Sequence, residues 1–261
     1  MSSFLRKKLD ILTKYVSLWM MNLTKKITQQ IKRIPEDTSF GYDQLKIEKA
    51  QYVTAAKVLE RMQKKGIIKK ISKGTFYKPK ISVFGEMKPN EQEILKPYLF
   101  YNGKRVANIT GNYLYNQLGL TTQISGKLNI ASRDKRIYVS TKAIKATPVK
   151  SYADVTDDNY QLLGFLDAIK DLKTIPDVEL KSAITIFSNR IKKLDEKQQK
   201  DFIQYTLLYP PRVKAIAGAI LEKLKEEKYL KKLKENINPL TNFKIGITNK
   251  ILSTATNWNI E

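Results

Sequence analysis

The sequence predicts a mainly α chain with small β elements, an α+β architecture. An N-terminal winged helix-turn-helix, a small mixed α/β middle region and a helical C-terminal domain are expected to follow one another. Three observations carry this. Residues 51–79 read as a helix, a tight turn and a basic hairpin; residues 127–132 and 136–149 alternate as strands do; and from Ser151 onward the apolar residues recur at helical spacing. The expected divisions are an N-terminal helical extension over 1–22, a winged domain over 23–88, an α+β domain over 89–150 and a helical domain over 151–261.

Residues 3–34 carry one apolar stripe, Phe4, Leu5, Leu9, Leu12, Val16, Trp19 and Leu23, continued by Ile27, Ile31 and Ile34, and Pro35 ends the run. A short second helix is expected from Tyr42, with Phe40 as an aromatic anchor before it. In the helix that follows, Ala55, Val58, Leu59 and Met62 share one face, and Thr54, Lys57, Arg61 and Lys64 point the other way. Gly66 stops this helix in the manner of a C′ glycine. Ile67, Ile68 and Ile71 then alternate with lysines, Gly74 marks the hairpin tip, and Phe76 and Tyr77 return along the second strand.

Further on, residues 109–124 form a second helix-turn unit, with Leu114 and Leu118 on one face and Gly119 as its terminator. Arg133, Lys135 and Arg136 lie between the two alternating segments, which makes a second basic hairpin there. Helices are expected near 158–173, 177–193, 196–209 and 210–235. In the last of them Pro211 suits the first turn, and Ala215, Ala217, Gly218 and Ala219 allow another backbone to approach closely. Trp258 reads as the anchor of a C-terminal tail.

Composition narrows the chemistry. Forty-eight Lys and Arg against 25 Asp and Glu give a formal charge of +23, which a polyanionic partner explains better than solubility does. The excess is uneven: +13 over residues 1–90, +7 over 91–150 and +3 over 151–261. The chain has no cysteine and no histidine, which removes Ser-His and Cys-His nucleophile systems, disulfides and zinc sites built on thiolate or imidazole. A reducing cytoplasm fits. No apolar run approaches the length of a membrane span, and the stretch from Val16 to Leu23 is short and flanked by Lys14, Lys25 and Lys26. No phosphate-binding loop or dinucleotide fingerprint occurs. The acid pairs Asp157 with Asp158 and Asp167 with Asp171 sit in surface-like patterns without a fixed partner, so neither catalysis nor a cofactor or metal is expected.

Binding chemistry remains. Double-stranded DNA is the expected partner, contacted by Gln51, Tyr52, Thr54, Lys57 and Arg61 from the helix and by Lys69, Lys70, Lys73, Thr75 and Lys78 from the hairpin. Polar side chains near the helix start reach base edges, while the lysines neutralise phosphates. Arg133, Lys135 and Arg136 are candidates for a second phosphate contact, with a solvated turn the competing reading. RNA is the alternative polymer, with Phe76 and Tyr77 available for stacking. A palindromic operator would need two winged domains about one helical turn apart, supplied by a homodimer or by two winged-like halves of one chain. A membrane partner is not expected.

The phrases IPEDTSF, VLERMQKKGIIKKISKGTFYKP, ITGNYLYNQLGLTTQI, YPPRVKAIAGAILE and NPLTNFKIGI, in that order, resemble the antitoxins of AbiE-type abortive-infection systems over roughly residues 23–258. By that resemblance Arg61, Gly66 and Gly74 occupy helix-end and wing positions, and Phe76 and Tyr77 are the wing aromatics. Asn116, Leu118, Gly119, Thr122 and Gln123 correspond to a middle motif, and Pro210, Pro211, Arg212 and Gly218 to a C-terminal one. The resemblance implies a bacterial antitoxin that represses its own operon through the winged domain. It also implies opposition to a nucleotidyltransferase-like toxin through the C-terminal part, with or without a stable complex. The competing readings are a winged-helix transcriptional regulator without a toxin and a protein-binding scaffold.

Overall fold

The computed structural model describes residues 21–83, 85–87, 90–141 and 144–261. Most of the expected extension over 1–22 therefore lies outside the described residues. The chain divides into two compact units, one ending at Pro97 and the other beginning at Tyr98. The first is a mixed α/β region with small sheets, and the second is largely helical.

In the first unit α1 (residues 21–33) buries Leu23, Ile27 and Ile31, spaced by four so that they fall on one face. The chain then forms β1 (Thr38–Gly41), α2 (Tyr52–Lys64), β2 (Lys69–Ser72) and β3 (Thr75–Lys78). Their sheet has the order β1-β3-β2 with antiparallel pairing throughout, which sets Phe40 opposite Phe76 with ring centroids 5.9 Å apart. This is the order of a winged helix-turn-helix. Its expected second helix is reduced to turns over 42–46 and a 3-10 turn at Lys49–Gln51, because Lys46 takes a positive φ of 47° that no helix continues through. Leu45 and Ile47 still reach the core from this shortened segment.

Two short strands, β4 (Ile81–Ser82) and β5 (Gly85–Glu86), pair after the winged core, and α3 (Glu91–Leu99) runs across the point where the units divide. The second unit opens on the hairpin β6 (Phe100–Tyr101) and β7 (Lys104–Arg105), followed by β8 (Asn108–Thr110) and α4 (Asn112–Gln117). Its main sheet adds β9 (Leu128–Ser132), β10 (Val139–Ser140) and β11 (Lys145–Lys150) in the order β10-β11-β9-β8. Here the second basic hairpin expected around Arg133 is corrected. β9 and β11 run parallel, so the residues between them form a crossover and not a hairpin turn.

Five helices complete the unit: α5 (Tyr160–Asp171), α6 (Leu180–Lys192), α7 (Glu196–Thr206), α8 (Pro211–Lys223) and α9 (Leu230–Lys234). The helix expected over 210–235 is interrupted at Lys225, whose φ is 61°. α5 is buried continuously from Leu163 to Ile169. Against it sits the region expected to be a separate domain up to residue 150. Leu114 Cδ2 of α4 lies 2.7 Å from where a Cβ on Gly164 would stand, so a side chain there would force Leu114 to shift. Gly218 of α8 receives an aromatic ring: the indole of Trp258 lies on it, and its Nε1 donates to Glu222 Oε2 at 2.5 Å.

A buried polar network ties these parts together. Asp167, 1% exposed, accepts from the hydroxyls of Thr110 (2.9 Å) and Tyr209 (3.1 Å) and from the ammonium of Lys170 (3.3 Å). Tyr115 donates to Asp171 at 2.6 Å. Asp167 thus belongs to the interior, which corrects the surface reading of that residue, while Asp171 stands half-buried at the edge of the network. Burial raises the Asp167 carboxyl above its ordinary value, while Lys170 and Thr110 pull it back down. Burial alone would depress Lys170, but Asp167 and Asp171 hold it above the usual ammonium value.

Lys170→Met removes the charge that answers Asp167 and is expected to cost about 3–5 kcal/mol near neutral pH. A carboxyl with a raised folded pKa contributes most stability when protonated. Its contribution is full below the unfolded value near 3.8 and is lost as pH rises through the folded one. Urea unfolding of the variant should therefore show a deficit that grows between acid and neutral pH. A deficit independent of pH would show that the pair carries no such coupling.

Candidate nucleic-acid interface

The outer face of α2 is set by what its inner face buries. Ala55, Val58, Leu59 and Met62 are in the core, which turns Val53, Ala56, Lys57, Glu60, Arg61 and Lys64 to solvent. The helix ends in a Schellman arrangement: Ile67 N–H donates to the Met62 carbonyl at 3.1 Å and Gly66 N–H to that of Gln63 at 2.9 Å, with Gly66 at a φ of 70°. This stop fixes where the hairpin departs. At its tip Gly74 has a φ of 77° and sits over the ring of Tyr42. Tyr42 in turn stacks on Tyr52, with centroids 4.7 Å apart, and meets Phe76 edge-on at 6.1 Å. Burial, then the neighbouring Tyr52, raises the Tyr42 phenol and keeps it protonated.

The sequence-predicted residues separate into those that share this surface and those that do not. Lys57 and Arg61 are exposed on α2, and the Arg61 Nε donates back to the Lys57 carbonyl at 3.3 Å. Lys70 and Lys73 are exposed along the hairpin, and Thr54 and Thr75 are half-buried beside them. Tyr52 is partly exposed but held by its stack on Tyr42. Gln51 turns back on its own segment, where its side chain accepts from the Glu48 N–H at 3.4 Å as part of a capping box. Lys69 pairs with Glu86 at 2.5 Å.

Lys78 does not share the surface. Its ammonium donates to the carbonyls of Ile31 (3.2 Å), Lys32 (3.1 Å) and Ile34 (2.6 Å), and so caps the C-terminal end of α1. Expecting it on the phosphates is therefore corrected. Sequence reasoning also passed over Val53, 73% exposed in the first turn of α2. The helical period that placed Lys57 outward would have placed Val53 and Ala56 there as well. Glu60, on the same face, pairs with Lys64 at 3.1 Å.

In the second unit Arg133 donates to the Tyr152 carbonyl at 3.2 Å and lies 3.6 Å from Asp154, and Lys135 lies over the ring of Tyr101 at 4.5 Å. Arg136 is exposed. The three do not converge through a hairpin tip. Asp157 pairs with Arg105 at 2.9 Å, and Arg105 also covers the rings of Tyr160 and Phe100 at 3.9 and 4.5 Å. Among the described residues no three His, Cys, Asp or Glu side chains are grouped to hold a metal ion, and no helix is long and apolar enough to cross a membrane.

A family model described as a family of unknown function, DUF6088, matches residues 26–203. The chain belongs to that family. The match begins in α1 and ends in α7, so the family's shared region takes in the winged unit together with the sheet and the first helices of the second unit. No curated protein matches the chain in sequence. Its fold is similar to that in a structure titled crystal structure of RV2827C protein from Mycobacterium tuberculosis, with a TM-score of 0.50 over 83% of this chain and 82% of that chain. The two share 9% of their residues, and the likeness concerns the fold alone.

The geometry separates two kinds of lysine. Lys57→Ala combined with Arg61→Ala should leave thermal unfolding within about 0.5 kcal/mol of the parent while weakening duplex DNA binding by about tenfold or more. Lys78→Met should do the reverse, lowering stability by roughly 1–2 kcal/mol through the lost cap and leaving affinity nearly unchanged. Differential scanning calorimetry beside fluorescence anisotropy checks both. Equal effects of the two variants on affinity would refute the division.

Proposed function

We propose that this DUF6088 protein is a cytoplasmic bacterial antitoxin of the AbiE type. It binds duplex DNA at its own operator through the winged unit, represses its operon, and opposes a nucleotidyltransferase-like toxin through its C-terminal part. The observation that carries the DNA-binding half is the outer surface of α2 and its hairpin. Lys57, Arg61, Lys70 and Lys73 are exposed there, and none forms an ion pair among the described residues. A helix whose cations face outward beside a basic hairpin suits a major groove flanked by phosphates. The surplus of +13 over residues 1–90 supplies the long-range attraction.

The antitoxin half rests on the five ordered sequence phrases, two of which lie in the second unit beyond α7. YPPRVKAIAGAILE forms the start and body of α8, where Pro211 takes the first turn and Gly218 seats Trp258. Within NPLTNFKIGI, Phe243 forms a bridge to Ile260. These residues build the C-terminal core, so their part in countering a toxin is through the surface that core presents.

If roughly six phosphates are neutralised, affinity for a promoter duplex should fall by about three decades between 50 and 200 mM salt. Anisotropy titrations at several salt concentrations measure this, and an affinity flat across that range would contradict the DNA-binding half. Growth on co-expression with the adjacent gene tests the other half. The full chain should restore growth, and the Lys57→Ala, Arg61→Ala variant should restore it too while derepressing a promoter reporter. Failure of the full chain to relieve any toxicity, with repression intact, would leave a plain winged-helix regulator.

A further inference from the structure

A cavity of about 220 Å³ lies in the second unit, between the end of α5, the start of α8 and residues 242–245. Its wall is apolar: Ile169, Leu172 and Ile216 are buried there, and Phe243 closes one side. Its polar lining is Asn242 and four cations, Lys170, Lys173, Arg212 and Lys244, and no carboxylate lines it.

The four cations are not equivalent. Lys170 is answered by Asp167 and Asp171, at 3.3 and 3.6 Å. Lys173 donates to the Lys244 carbonyl at 3.1 Å, a bond that positions the ammonium without neutralising it. Neither Lys173, Arg212 nor Lys244 forms an ion pair among the described residues. Arg212 also leaves α8 in its first turn, next to Pro211, where the helix dipole disfavours a cation. Three solvent-exposed cationic residues without an ion-pair partner among the described residues therefore line an apolar hollow.

We propose that this cavity binds a small organic anion with an apolar body. The body rests on Ile169, Leu172 and Ile216, and the anionic head sits among Lys173, Arg212 and Lys244. A bare inorganic anion would use the rim and leave the apolar wall wet, and a neutral apolar molecule would fill the wall and leave three like charges unanswered. At about 30 Å³ for a water-sized group, the volume holds roughly seven such groups, the size of one ring or a short acyl chain. Carboxylate and phosphate heads share the chemistry, since either accepts paired N–H bonds from a guanidinium. The site stands apart from the DNA-binding reading and does not depend on it.

Isothermal titration of the full chain with benzoate, phenyl phosphate, benzamide and inorganic phosphate tests this. Benzoate or phenyl phosphate should saturate one site with a Kd below about 1 mM, and benzamide and inorganic phosphate should bind at least about tenfold more weakly. Tighter binding of benzoate assigns a carboxylate head; tighter binding of phenyl phosphate assigns a phosphate. Arg212→Gln with Lys244→Gln should weaken binding about tenfold or more with the thermal transition retained. Lys192→Gln with Lys193→Gln, which removes the same charge at the exposed end of α6, should leave binding unchanged. Three outcomes would overturn the proposal: neither anion saturating by about 10 mM, benzamide binding as well as benzoate, or the two double variants behaving alike.

Discussion

Everything the outer face of α2 can do depends on the burial of its inner face. Ala55, Val58, Leu59 and Met62 pack in one core with Phe76, which lies on the middle strand of the three-stranded sheet. Removing side chains of the Val, Leu and Met kind from water contributes about 1.5–3 kcal/mol each. Rotating the helix by even a quarter turn would forfeit several of these and expose the sheet. Lys57 and Arg61 are thus directed outward by the residues beside them and not by any attraction of their own. The Schellman stop at Gly66 then fixes the start of the hairpin, and Lys78, returning on β3, closes the end of α1. The unit is a closed loop of constraints that holds its cations on one side.

Much of this was legible in the chain. The period of Ala55, Val58, Leu59 and Met62, the glycine at 66 and the alternation after it are local signals, and local signals survive in a one-dimensional reading. What was not legible depends on partners far along the sequence. Lys78 resembles the other hairpin lysines until α1, more than 40 residues earlier, presents it with three carbonyls. Asp167 and Asp171 share the spacing of solvated acids. Their hydrogen-bond partners Thr110, Tyr115 and Tyr209 lie 57, 56 and 42 residues away, and those partners take Asp167 inside and tether the half-buried Asp171. The segments around 130 and 147 read correctly as strands, but alternation carries no direction, so their parallel pairing and the loss of the basic hairpin could not be read from it. Residues on both sides of 150 fall in one compact unit, although the composition changes there.

Net charge proved to be a coarse guide in the second unit. The +3 over residues 151–261 describes an ordinary solvated surface on average. The fold nevertheless sorts those charges. Lys170 is answered by the buried Asp167 and the half-buried Asp171, and Lys173, Arg212 and Lys244 line a hollow with no acid in its wall. A nearly balanced sequence can therefore present a local excess, here assembled from three separate stretches of chain. The winged unit shows the opposite case, where the excess in the sequence and the excess on the surface coincide.

We propose that duplex DNA is read by the exposed side of α2 and its hairpin. The most direct measurement is an amide chemical-shift map of the full chain as a duplex from its own promoter is added. The largest changes are expected over residues 52–64 and 69–75, centred on Val53, Lys57 and Arg61. Changes concentrated around Arg133 to Arg136 or in the helices beyond Ser151, with α2 undisturbed, would contradict it.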